Sequence, residues 1–295
     1  MLKLDWHEPN FIAQRNFSIA SDTSTANLYF LRKKYNIEVA ELNGILFRRY
    51  NGANVNRNGY GFPLFDKNFD LNAAIEILKA DSILRGENLR FCLCNERQCK
   101  EINKFCNVDW KFFCGDSDYI YSRESLSRFS GKKLHRKKNH FNKFMRVYPE
   151  SKYLPLTTDL LTDALNIAEK WLSEHDYEDI SLQNELSSIH EAAGNWENLG
   201  MQGGILYADG EPAAMIMFSA LSEQCIDVHF EKSTNNFAAD GAFAAINKFM
   251  ASSNDLETYT YINREEDMGI TGLQKSKESY QPDFKLKKYY GDVFG

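Results

Sequence analysis

No apolar run in this 295-residue chain approaches the roughly 20 residues that a membrane helix needs. The opening stretch, MLKLDWHEPNF, has no apolar core of the kind a secretory signal carries. Both absences lead to the expectation of a soluble, cytoplasmic protein that meets a membrane, if at all, only at its periphery. Cysteine pairing is also missing. Five of the six cysteines fall between Cys92 and Cys114, yet no two are spaced CxxC, which is poor spacing for zinc. No metal and no disulfide are therefore expected. Cys92 and Cys94, in LRFCLC, are expected to share one face of a buried strand as small apolar groups. The formal net charge of −6 excludes wholesale coating of a nucleic acid, so a polyanion site has to be local.

One such locality exists. From Ser125 to Pro149 there is no acidic residue. Lys132, Lys133, Arg136, Lys137 and Lys138 lie there, interleaved with His135, Asn139 and His140 and flanked by Tyr119, Tyr121, Phe141 and Phe144. A basic block with aromatic flanks is the electrostatic footprint of a polyanion partner, and the plainer reading is a solvated helix face.

The length suits two domains of about 150 residues. Residues 1–145 are expected to form the first, ending in the basic block, and residues 146–295 the second. In the first half, Ser21 to Tyr35 reads as a helix after serine and threonine caps. Ile37 to Tyr50 reads as a hairpin turning at Asn43-Gly44. A short strand near Phe62, a helix over Phe69 to Asp81, a strand over Leu89 to Cys94, a short helix and an extended piece at Tyr119 follow. The second half reads more clearly. Leu156 to Asp176 is an amphipathic helix and a second helix ends near Gly200. Two strands join at Asp209-Gly210, and Cys225 to Ser233 is a third strand. An apolar helix, the strand ETYTYIN, a short helix and a last strand, PDFKLKKYY, complete it.

The order α-α-β-β-β-α-β-α-β is that of the GNAT acetyltransferase-like fold, and the first half has a looser version of it. The expected fold class is therefore α+β, mixed sheets in two tandem GNAT-like domains. In that architecture the third and fourth strands separate, and the reacting acyl group sits between their ends. Here they end in VHFEK (Val228 to Lys232) and YINRE (Tyr261 to Glu265). Strict alternation puts His229, Glu231 and Ser233 on one face. Acyl transfer needs a base, for which His229, Glu231, Glu265 and Asp267 are candidates. It needs oxyanion donors, for which Asn263 and Tyr280 are candidates beside backbone N–H groups. It needs cations for phosphate, for which Lys232, Arg264, Lys275 and Lys277 are candidates. GNAT enzymes that use acetyl-CoA usually hold its pyrophosphate with R/Q-x-x-G-x-G/A after the third strand. KSTNNFAADGAFAAIN offers only Gly241 there, so the usual CoA grip is not met.

Three motifs in this order, DYIYSRESLSRFSGKKLHRKKNHFNKF, VHFEK and INREEDMGITGLQKSKESYQP, with LYFLRKKY near the start, resemble the phosphatidylglycerol lysyltransferase C-terminal-domain family. Gln274 stands where that family more often has Arg. The resemblance implies two tandem GNAT-like domains and kinship with enzymes that move an aminoacyl group from aminoacyl-tRNA to a lipid head group or peptide amine. The leading expectation is an acyltransferase with aminoacyl-tRNA as donor, tRNA as partner, an amine or hydroxyl acceptor (lipid head group, peptide or small molecule) and no prosthetic group. The alternatives are a CoA-dependent N-acyltransferase of a small amine and a non-catalytic anionic-ligand-binding module.

Overall fold

The fold is described from a computed structural model, for all residues except 1–3, 13–17, 53–54, 66–68, 176–177 and 295. In chain order the first part holds α1 (Thr25–Phe30), β1 (Ile37–Leu42), β2 (Ile45–Asn51), β3 (Asn58–Tyr60), β4 (Leu64–Phe65), α2 (Leu71–Leu84), β5 (Arg90–Cys94), α3 (Glu96–Ile102) and β6 (Asn107–Phe112). There follow β7 (Asp118–Ser122), α4 (Arg123–Arg128), α5 (His135–Val147), β8 (Lys152–Pro155), α6 (Leu161–Ser173), α7 (Ile180–Gly194), β9 (Met201–Ala208), β10 (Glu211–Ser222) and β11 (Cys225–Ser233). The chain closes with α8 (Asn235–Asp240), α9 (Ala242–Ser252), β12 (Tyr261–Asn263), α10 (Thr271–Glu278), β13 (Phe284–Leu286) and β14 (Tyr289–Phe294).

Local chemistry accounts for most of these boundaries. Asn43 and Gly44 take φ of 53° and 75°, and Asp209 and Gly210 take 51° and 81°. Two successive left-handed residues give the turn whose twist suits a hairpin. Asp70 caps α2 through the Ala73 N–H, and Asn95 with Gln98 forms a reciprocal capping box on α3.

Two seven-stranded sheets result, both of mixed direction. One runs β1-β2-β3-β5-β14-β6 with β4 beside β2; the other runs β13-β7-β12-β11-β10-β9-β8. The chain divides into two compact units. The first is residues 1–118, 266–270 and 285–295, and the second is residues 119–265 and 271–284. This corrects the expected cut after residue 145. Strand β7 pairs with β12, so the basic block belongs to the second unit. Strand β14 pairs with both β5 and β6, which carries the C-terminal stretch into the first.

Strands β3, β6 and β8 escaped the sequence reading, β3 because its stretch is rich in Asn and Gly. β6 is mostly exposed and lacks apolar alternation, and β8 is a four-residue edge strand ending in proline. Cys92 and Cys94 are buried and unpaired to other cysteines, but they do not share a face. Cys92 packs with Leu28, Tyr35 and Tyr50, whereas Cys94 packs with Phe91, Leu78 and Ile102. Leu93 sits at φ 56°, and β5 uses one extra residue against β14 there, so the alternation is broken.

In the second unit, α9 and α5 cover one face of the sheet. Ile226, Val228 and Phe218 pack with Ala245, Ile246 and Met250 of α9 and with Phe144 of α5. Among the described residues no helix is long and apolar enough to cross a membrane.

Candidate active site

Strands β11 and β12 are parallel and pair only over Cys225↔Tyr261, Ile226↔Ile262 and Asp227↔Asn263. β11 then continues to Ser233 while β12 ends at Asn263. Past Asn263 the backbone turns sharply, with Glu265 at φ 55°. A left-handed non-glycine residue of this kind costs on the order of 1–2 kcal/mol and has to be held by its surroundings.

β11 is itself irregular at this point. Met217 pairs with Phe230 and Phe218 with Val228, so His229 is an extra residue. The His229 side chain is 1% exposed, so the exposure of this residue comes from its main chain. A bulge bends its strand and re-aims the side chains that follow. His229 points to Ser219 of β10, whereas Glu231 points to Asn247 of α9. The expected common face for His229, Glu231 and Ser233 is therefore corrected: one extra residue separates His229 from the other two. Two polar networks arise where one was expected.

The first network centres on His229. Its Nδ1 lies 3.1 Å from Glu265 Oε1 and 3.7 Å from Asp227 Oδ2, and its Nε2 lies 2.8 Å from Ser219 Oγ. A carboxylate accepts, so Nδ1 donates to Glu265, and Nε2 shares a hydrogen bond with the Ser219 hydroxyl. Asn263 Oδ1 takes the main-chain N–H of Glu265 at 2.7 Å. Both ends of Glu265 are thereby fixed. Its side chain is 21% exposed, against 1% for His229 and 0% for Asp227. The ligand atoms of Asp227, His229 and Glu265 all lie within 4.8 Å of one another, a spacing that a cation could also bridge.

The second network centres on Arg264. Its Nη2 donates to Glu231 Oε2 at 2.6 Å, and Glu231 Oε1 accepts from Asn247 Nδ2 at 2.6 Å. The guanidinium lies 4.5 Å from the centre of the Tyr280 ring. Lys137 Nζ lies 3.7 Å from the centre of that same ring. Burial, then the Arg264 charge, lowers the Lys137 amine to about 8, although Glu231 opposes this. Burial raises the Tyr280 hydroxyl well above the ordinary tyrosine range. Burial opposes the Arg264 charge most, yet Glu231, together with Tyr121 and Tyr280, outweighs that cost and Arg264 stays charged. The Lys277 amine donates to the Arg264 carbonyl, and the Tyr121 hydroxyl donates to the Lys277 carbonyl at 2.7 Å. These bonds tie α10 to the strand ends.

The remaining expected residues disperse. Lys132, Lys133, His135, Arg136, Lys138, Asn139 and His140 lie on the exposed side of α5 and the turn before it, while Lys137 turns inward. Lys232 is buried, bonded to Glu185 of α7 at 2.8 Å and stacked 3.7 Å from the Trp171 ring centre. That is a correction, since a lysine so placed is a structural cation rather than a phosphate ligand. Lys275 is exposed on α10. Asp267 belongs to the first unit, where it is buried and accepts the Gly269 N–H at 2.7 Å.

Sequence reading missed Asp227, Ser219, Asn247 and Glu174. Asp227 was open to detection, being two residues before His229 on a strand. Asn247 was also visible, as a lone amide in an apolar helix. Glu174 carried no local signal. Its Oε2 accepts the N–H of Asn235 at 2.7 Å, at the first residue of α8. Gly241, φ 107°, separates α8 from α9, and a Cβ there would lie 2.3 Å from the His140 carbonyl oxygen. This glycine serves close packing against α5.

Two mixed sheets, one with a parallel pair that parts beyond Asp227 and Asn263, define the fold. The chain belongs to the family described as phosphatidylglycerol lysyltransferase, C-terminal, which matches residues 16–291. A conserved protein of unknown function from Bacteroides thetaiotaomicron is 28% identical, with a TM-score of 0.87 over 99% of this chain and 100% of that one. L-PGS from Bacillus licheniformis shares the fold at 15% identity, with a TM-score of 0.61 over 95% of this chain and 94% of that one. An uncharacterised protein of Mycoplasmoides gallisepticum is 25% identical over 179 residues, 59% of this chain. The match spans about half of that relative's length, 55%.

Proposed function

We propose that this chain transfers an aminoacyl group from aminoacyl-tRNA to an amine or hydroxyl acceptor. The observation that carries the reading is the contact between Glu174 and the start of α8. In CoA-dependent GNAT enzymes that helix start faces the pyrophosphate. A carboxylate already bonded there repels a pyrophosphate and occupies its N–H donor. The donor is then one that needs no pyrophosphate grip, and the exposed cations of α5 suit the phosphates of tRNA.

Glu265 is the base in this reading. It is the most exposed carboxylate of the two networks, and His229, Ser219 and Asn263 fix its position. It removes a proton from the acceptor as that group attacks the ester carbonyl, and the tRNA 3′ oxygen leaves as the bond to the carbonyl breaks, taking the proton back from the Glu265 carboxyl. Holding the acceptor against the ester supplies much of the acceleration.

A transfer assay with charged tRNA and a panel of amine and hydroxyl acceptors tests this, run beside acetyl-CoA. Product from charged tRNA, lost in Glu265→Gln without loss of tRNA binding, supports it. Product from acetyl-CoA alone overturns it. Charge reversal at Lys133 and Lys138 is expected to weaken tRNA binding and flatten its dependence on salt.

A further inference from the structure

The second network contains a charge that its own residues do not balance. Arg264 and Lys137 both lie against the Tyr280 ring, and among the described residues Glu231 is the carboxylate bonded to Arg264. Glu231 is already engaged by Arg264 and Asn247. Arg264 is 9% exposed, and its Nη1 is buried with no hydrogen-bond partner. A buried cation whose donors are unused is costly unless a partner arrives. The Lys137 stem is long and only half-buried, so its amine can swing without moving α5.

We infer that Lys137 and Arg264 form a binding site for one singly charged oxyanion, a phosphodiester, held between the Lys137 ammonium and the unused Nη1 of Arg264 over the Tyr280 ring. The site has two cations and one carboxylate, so a single negative charge balances it. A guanidinium edge and an ammonium together are the usual donors for a phosphate oxygen pair. The site lies in the centre assigned to acyl transfer, so the phosphodiester belongs to a reactant: either the donor RNA near its acylated end or the acceptor. Groups facing Lys137 are Arg136 and His140 on its own helix, Arg264 after β12, Glu231 on β11 and Tyr280 after α10. Of these Arg264 and Arg136 oppose its protonation and Glu231 favours it. A bound phosphodiester adds a second negative charge and draws a proton onto the amine.

Competitive labelling of the whole chain with acetic anhydride, read by peptide mass spectrometry, tests the site without any turnover. Only the free amine reacts, so rate against pH gives the midpoint of each lysine. Dimethyl phosphate is expected to slow labelling of Lys137 about fivefold at pH 8 and to raise its midpoint by about one unit. Lys132 and Lys133, exposed two turns away or less, serve as internal controls and should not respond. Arg264→Gln should abolish the protection, and the wild-type contrast stands alone if that variant does not fold. Absence of protection, or equal protection of all lysines, overturns the site. Protection by acetate as strong as by dimethyl phosphate overturns the phosphodiester assignment. A short RNA ending in CCA and a glycerophosphodiester, compared as protectants, tell donor from acceptor. The inference rests on the proposed centre but not on its donor: protection without aminoacyl transfer leaves this site standing and removes the reaction, and transfer without protection does the reverse.

Discussion

Glu174 accepts the backbone N–H of Asn235 at 2.7 Å, so the first turn of α8 is already occupied by a charge from α6's C-terminal end. The pairing has an energetic side as well as a functional one. A carboxylate at a helix start contributes about 0.3–1 kcal/mol when exposed. Glu174→Ala is therefore expected to lower stability by about that amount in urea unfolding. Acetyl-CoA should leave the melting temperature of the wild-type protein unmoved, and a clear upward shift would count against the reading of this contact.

Removing Glu231 should be far more damaging than its partial exposure suggests. Arg264 is buried and Glu231 is the carboxylate it bonds. Glu231→Ala leaves that guanidinium without its counter-charge, a loss of about 3–5 kcal/mol. Glu231→Gln keeps a hydrogen-bond acceptor and should cost less. Equal, small losses for both in chemical denaturation would mean that Arg264 finds another partner.

Gly241→Ala meets two obstacles together. The residue sits at φ 107°, and the new methyl would lie 2.3 Å from the His140 carbonyl oxygen. Backbone atoms cannot swing aside as a flexible side chain can. A destabilisation of about 2 kcal/mol or more is expected, with α5 loosened from α9. Hydrogen exchange should show it first in the amides of α5.

Lys137 predicts a pH dependence with a definite sign. Its amine is lowered from 10.5 to about 8 by burial and by Arg264. Between these values the unfolded chain binds the proton and the folded chain does not, so stability rises with pH across that window. Below about 8 both states are protonated and the folded state bears the full cost. Lys137→Met should therefore stabilise the protein near neutrality, and the gain should vanish above pH 10.5. Melting curves from pH 7 to 11 are the check, and a gain that grows with pH would contradict the placement of this amine.

Much of the fold was legible because its turns and caps are local. Asn43-Gly44 and Asp209-Gly210 announce hairpins through the backbone angles they tolerate, and the apolar faces of α6 and α9 follow a helical period. What failed was the assumption that strands alternate without interruption. At Leu93 and at His229 one added residue moves every later side chain to the other face. Nothing in LRFCLC or VHFEK marks that insertion, since its cause is the partner strand. The candidate site was thus half legible: His229, Glu231, Arg264 and Glu265 were named, but Asp227 and the division into a His229 group and an Arg264 group were not. The inward turn of Lys137 was likewise hidden, because it depends on Tyr280, more than a hundred positions further along.

The position of β14 bears on how the chain is made. The first sheet is closed by β14 between β5 and β6, and Arg90 meets Asp292 at a separation of 202 residues. A ribosome delivers β5 long before it delivers β14. Through that interval β5 and β6 each wait with an unpaired edge, the kind of edge that chaperones shield and that neighbouring nascent chains can capture. Losing β14 would therefore part β5 from β6 and leave this sheet incomplete.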